Sequence, residues 1–162
     1  MKDVIPLKQR PFDWFLIIFF AFFVYSSFFI SLLRALNIPL TLDSKNIFLK
    51  GAYWYGSKID PLFLLNPPWF QIVSGLDSFI YGPFYLLLIY ALIKSQNWIR
   101  IPALLYVSAI TTSTTITFGC EYLSGSPPLD TPLFLAISLP YLLIPIVLGY
   151  RMRHLHPFRK NA

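Results

Sequence analysis

Four stretches of this chain stay apolar for as long as a helix needs to cross a bilayer. A residue rises about 1.5 Å along a helix and the hydrocarbon layer is about 30 Å thick, so about 20 mostly apolar residues span it. Trp14 to Leu33 carries no charge, and Trp69 to Ile93 carries one, Asp77. Ile101 to Leu123 meets its first charge at Glu121, and Pro132 to Tyr150 has none. Composition closes off a soluble fold: 56% of the 162 residues are hydrophobic and 12% are charged, about half the charge of a soluble domain. Mean hydropathy is +0.62. So few charges do not cover a globule of this size, and so much apolar surface does not stay disordered. The expectation is an all-α polytopic membrane protein, one domain over 1–162 with a four-transmembrane-helix bundle.

Lys2, Lys8 and Arg10 precede the first stretch, as in a signal peptide. The apolar core is longer than the roughly 7–15 residues of such a signal, and no small-residue cleavage site follows. The sequence therefore predicts a retained helix. Orientation follows from Lys and Arg, which favour the cytoplasmic side. Nine of them (Lys2, Lys8, Arg10, Lys94, Arg100, Arg151, Arg153, Arg159, Lys160) fall on the side of the termini. Four (Arg34, Lys45, Lys50, Lys58) fall on the other. Both termini are expected in the cytoplasm. The net charge of +6 thus reflects membrane orientation, and no nucleic-acid partner is expected.

The loop 34–68 is long, aromatic and rich in proline. A loop of that length forms its own elements or carries function. Short helices on the bundle mouth are expected, with Tyr53, Trp54, Tyr55 and Trp69 at headgroup level.

Asp77 lies about eight residues into the second stretch, roughly 12 Å deep. Ionisable groups at such depth are costly and face the bundle interior. Asp77 is a candidate proton donor or ligand anchor; the alternative is a carboxylate neutralised by Arg34 or by hydroxyls. Glu121, near the end of the third stretch, divides acid and base roles with it or simply pairs with Arg34 or a lysine. Ser108, Thr111, Thr112, Ser113, Thr114, Thr115 and Thr117 place hydroxyls on most faces of the third helix. These line a wet cavity, with Thr111 as a candidate contact, or serve helix packing. Pro83, Pro140 and Pro145 bend their helices and open space inside the bundle. Tyr25, Tyr81, Tyr85, Tyr141 and Trp69 are candidate walls of that space. Cys120 is the single cysteine, and His154 and His156 lack a third ligand nearby, so no metal or cofactor is expected. The final RKNA resembles a cytoplasmic dilysine-type retrieval signal.

IDPLFLLNPPWF at 59–70, NWIRIPALLY at 97–106, TTSTT at 111–115 and LPYLLIPIVL at 139–148 together resemble the EXPERA family, over about residues 53–150. The match is closer to its sigma-2 receptor branch than to its sterol-isomerase branch. The resemblance implies the endoplasmic reticulum membrane (the plasma membrane in a bacterium), homodimers and a lipid-accessible cavity. It implies that Asp60 is a structural, capping residue of the loop. It also implies that Asp77 matches the acidic residue that moves protons in the isomerase, and that Tyr141 is a cavity-wall aromatic. The first helix departs from the pattern: Tyr25 and Leu33 stand where His and Asp are expected. Isomerisation needs one group to add a proton and another to remove one, which leaves Asp77 and Glu121 for both. The expected function is therefore non-enzymatic: binding a sterol or similar lipid through Asp77, Tyr141, Tyr25, Tyr81 and Thr111, and acting through a membrane-protein partner. The alternatives are a sterol double-bond isomerase, with Asp77 and Glu121 catalytic, and a membrane-protein assembly or quality-control factor.

Overall fold

The computed structural model describes residues 4–123, 125 and 127–159. Lys2 and the Lys160–Ala162 part of the retrieval-like ending lie outside the described residues. In chain order the main helices are α1 (Pro11–Ala35), α2 (Ile47–Lys58), α3 (Pro61–Leu65), α4 (Pro68–Lys94), α5 (Asn97–Leu123) and α6 (Thr131–Arg151). Of these, α1, α4, α5 and α6 are long and apolar enough to cross a membrane.

The helix starts follow from the residues that open them. Pro11, Pro61 and Pro68 each stand in a first turn, where a missing N–H costs nothing. Asn46 caps α2 by accepting from the Phe48 N–H at 2.9 Å, and Asp130 caps α6 by accepting from the Leu133 N–H at 3.0 Å. Asn66 ends α3 and Ser95 ends α4 in the left-handed region, at φ of 44° and 57°.

Two spanning helices change winding midway. Ser27–Ser31 in α1 and Asp77–Tyr81 in α4 are π-helical, and the two segments pack on each other. The Ser27 hydroxyl donates to the Asp77 carbonyl at 2.7 Å, and the Ser78 hydroxyl donates to the Ser27 carbonyl at 2.9 Å. Pro83 gives a reason for the wide turn in α4, since it has no N–H to bond the carbonyl one turn back. The approach is close: a Cβ on Gly82 would stand 2.5 Å from Ser27 Oγ. Pro140 breaks α6 into two segments at Leu139, whereas Pro145 stays within the second.

The packed core fills the end of the bundle that holds the termini. Leu16, Phe20 and Phe23 of α1 meet Tyr85 and Leu88 of α4, Tyr106 of α5 and Leu148 of α6. The tail returns to this core through Phe158. Phe158 is fully buried, its carbonyl accepts from the Ile5 N–H at 2.9 Å, and the guanidiniums of Arg10 and Arg151 lie 4.9 and 5.2 Å from its ring centre. Both guanidiniums also bind the buried Asp13, Arg151 Nε at 2.7 Å from Oδ1. Ile5 and Phe158 thus bring the first and last described segments together at one end of the molecule. At the other end α2 packs chiefly against α3. Gly56 lets them touch, since a Cβ there would stand 2.5 Å from Leu64 Cγ.

Candidate functional site

Above the packed core the four spans diverge, and a cavity of about 330 Å³ opens between them. Its floor is built by the paired π segments. A π turn shifts the register of the side chains that follow, and such turns recur at functional sites. Here they bring Ser31 of α1 and Asp77 of α4 together: the Ser31 hydroxyl donates to Asp77 Oδ2 at 2.7 Å. The Tyr85 phenol, one face further down α4, donates to Asp77 Oδ1 at 2.9 Å. Asp77 is therefore held by hydroxyls on both oxygens, the second of the two ways its burial was expected to be met. Arg34 is occupied elsewhere: its guanidinium donates to the carbonyls of Phe63, at 3.3 Å, and Ile38, and lies over the Phe63 ring.

The walls are apolar and aromatic. Tyr141 stacks on Phe23 with ring centres 4.5 Å apart, and its hydroxyl donates to Ser26 Oγ at 2.6 Å. Tyr81 and the α5 residues Ser113, Thr114 and Thr117 also face the space. The roof is α2 and α3, which contribute Ala52, Tyr55, Asp60 and Phe63. Glu121, 2% exposed, and Asp60, 4% exposed, meet there. Their carboxyls lie in hydrogen-bonding reach of each other. Burial pushes the Asp60 carboxyl up from its ordinary range, while the hydrogen bond to Glu121 pulls it back. Burial, and then the charge of Asp60, also raise the Tyr55 phenol.

The cavity thus gathers Asp77, Tyr81, Tyr141, Glu121 and Asp60. It does not gather Tyr25 or Thr111. Phe22, Ser26 and Ile30 share one face of α1 at spacing four and line the cavity. Tyr25 lies about 100° round from Ser26 and stacks outward on Phe29 at 5.1 Å. Thr111 sits about 200° round α5 from Ser113, and its carbonyl accepts from the Thr115 hydroxyl at 2.8 Å. Asp60 stands at the start of α3 as expected, but no side-chain hydrogen bond caps the helix; its backbone carbonyl accepts from the Phe63 N–H at 3.1 Å. Its carboxyl lies among Glu121, the Tyr55 hydroxyl and the backbone N–H groups of Leu62 and Phe63. Ser31 and Tyr55 were not singled out as site residues. Ser27 and Ser31, four apart in an otherwise apolar helix, were the available signal for the first. Tyr55, assigned with its neighbours to the headgroups, turns inward while Trp54 stays 54% exposed.

The sequence matches the family model described as EXPERA (EXPanded EBP superfamily) over residues 48–152. It is also similar to the Sigma intracellular receptor 2 of Xenopus tropicalis, 30% identical over 134 residues, covering 69% of this chain and 78% of the relative. The chain belongs to the EXPERA superfamily. The EXPERA match begins in α2 and runs past the end of α6, so it takes in the roof and three of the four walls. The first helix lies outside it. Ser26, Ser31 and Phe22, which complete the cavity, therefore come from the part of the chain that the EXPERA model does not cover.

Proposed function

We propose that this multi-pass EXPERA protein is a non-enzymatic binder of a sterol or sterol-like lipid, held in the cavity between its spans in the endoplasmic reticulum membrane. The observation that carries the reading is the pairing of apolar, largely aromatic walls with one deep carboxylate held by two hydroxyls. A cavity of about 330 Å³ is within the usual size of small-molecule sites, which are mostly apolar with a few placed polar groups. Each Asp77 oxygen accepts one hydrogen bond and keeps a second lone pair. Asp77 is thus preset to accept from the hydroxyl, or a cationic group, of a ligand whose rings lie against Tyr141, Tyr81 and Phe70. Family membership and the likeness to an intracellular receptor support the class of protein and an internal membrane.

A second reading is a double-bond isomerase. It is favoured by one observation: Asp60 and Glu121 open on the same cavity as Asp77, so a second proton-carrying group is present. Binding and turnover of a ring-unsaturated sterol by protein in lipid nanodiscs separate the two. Saturable binding without turnover, weakened about tenfold or more in Asp77→Asn by the loss of a charge-assisted hydrogen bond, is the expected result. Absence of saturable binding overturns the sterol reading, and a shifted ring double bond that vanishes in Asp77→Asn establishes the isomerase.

A further inference from the structure

At the packed end of the molecule, far from the cavity, Phe12, Tyr150, Arg151, Arg153 and His154 line a recess between the start of α1 and the end of α6. Its two arginines are placed differently. Arg151 is spent: Nε and Nη2 donate to Asp13 at 2.7 and 3.1 Å, and Nη1 donates to the Pro157 carbonyl at 2.6 Å. Arg153 is exposed and takes part in no ion pair among the described residues. Its position is nevertheless fixed. The guanidinium carbon lies 3.7 Å from the centre of the Tyr150 ring, and Nε donates to His154 Nε2 at 3.0 Å. Its backbone is held by Arg100 of α5, which donates from Nε to the Met152 carbonyl at 3.2 Å and from Nη2 to the Arg153 carbonyl at 3.4 Å. These contacts leave the terminal nitrogens of Arg153 without a protein partner among the described residues. With Nε2 accepting, a neutral His154 ring carries its proton on Nδ1, which makes a further donor at the recess.

We propose that this recess binds the phosphate of an anionic phospholipid, gripped by Arg153 and His154. A guanidinium laid on a ring with its terminal nitrogens free is preset for phosphate oxygens, because its planar fork matches them and little freedom is lost on binding. The place selects a lipid over a soluble phosphate. The recess lies where one span begins and another ends, which is the level of the headgroups. Beside it Phe12 is exposed and stacks on Phe15 with ring centres 6.1 Å apart, so acyl chains below a bound phosphate run on along an apolar face of α1. The charge selects a negative headgroup over a zwitterionic one. Asp13, the acid in the first turn of α1, is fully buried and engaged, while Lys8, Lys94 and Arg100 add positive charge at the same end. A choline cation is repelled there and a net negative headgroup is attracted.

The site does not depend on the cavity, so its test is independent of sterol binding. The full chain in detergent is titrated with phosphatidylinositol and phosphatidylcholine together, and the retained lipid is counted by native mass spectrometry. Phosphatidylinositol is expected to be retained in preference. Arg153→Gln is expected to lower that preference about fivefold, the effect of one basic residue at a membrane surface. His154→Gln is the companion variant should Arg153→Gln not fold, and is expected to lower the preference in the same direction. Lys94→Gln removes a charge at the same end but outside the recess, and is expected to change it less than about twofold, since exposed charges are screened over a short distance. Soluble glycerophosphoinositol is expected not to displace the lipid. Equal retention of the two lipids by the wild type overturns the proposal. So does an equal loss in Arg153→Gln and Lys94→Gln, which would mean diffuse surface charge. Displacement by glycerophosphoinositol at the lipid's own concentration would overturn the assignment to a lipid.

Discussion

Asp77 shows how a carboxyl deep in a span is made tolerable and useful together. Its two oxygens take one hydroxyl each, so its position is fixed before any ligand arrives. Tyr85→Phe removes one donor, leaves Oδ1 without its partner and preserves the ring packing against Phe20 and Phe23. The expected loss of stability is about 1–3 kcal/mol, measured as a lower unfolding midpoint in detergent. Asp13 is the harsher case. It is fully buried between Arg10 and Arg151, so Asp13→Ala strands two guanidiniums and is expected to cost about 3–5 kcal/mol. A midpoint within a degree of wild type would show that the guanidiniums find other partners. Asp77 stood out in the sequence because it interrupts a long apolar run. Asp13 did not, because it lies one residue ahead of the first apolar stretch, where an acid at a helix start is unremarkable. Its burial depends on Arg151, 138 residues away, and no local pattern carries that.

At the scale of elements, the four crossings were legible to within a few residues because a bilayer imposes their length. The π turns were not. Pro83 marks the one in α4, but α1 has no proline after its first residue, and its wide turn is stabilised by the Ser27 bond to the neighbouring helix. Winding that depends on a partner helix leaves no trace in one segment's periodicity. This is also why Tyr25 and Thr111 fall outside the cavity lining: a strict phase from one residue to the next fails to say which face the rest of the fold will use. Deleting Phe29 should turn the wide turn of α1 back into an α turn and rotate Ser31 by about 100° relative to Ser27. The Ser31–Asp77 bond is then lost, and sterol affinity should fall while helix content by circular dichroism stays the same. Gly82→Ala tests the same contact from the other side. Its new methyl would stand 2.5 Å from Ser27 Oγ, and forcing α1 and α4 apart is expected to cost about 1–3 kcal/mol. Wild-type stability in Gly82→Ala would mean that the paired π segments separate without penalty.

The whole molecule divides into a packed half that holds both chain ends and a hollow half under the α2–α3 roof. The division decides what positive charge can do. Lys8, Arg10, Lys94, Arg100, Arg151 and Arg153 lie at the packed end, and Arg10 and Arg151 there are structural as well, through Asp13 and Phe158. Lys45, Lys50 and Lys58 lie on the segment that carries the roof. Positive charge near short loops sets topology, so the packed end is expected to face the cytoplasm and the roof the far side. Because Ile5 and Phe158 are paired, the two termini cannot be divided between the two faces without breaking the core. Epitope tags at the N-terminus and the C-terminus should therefore both be removed by protease added to sealed microsomes. A cysteine at Lys58, on a Cys120→Ser background, should react with an impermeant maleimide only after the vesicles are opened. One protected tag and one digested tag would contradict the fold itself. Two protected tags with an accessible residue 58 would keep the fold and reverse its orientation, placing the roof in the cytoplasm.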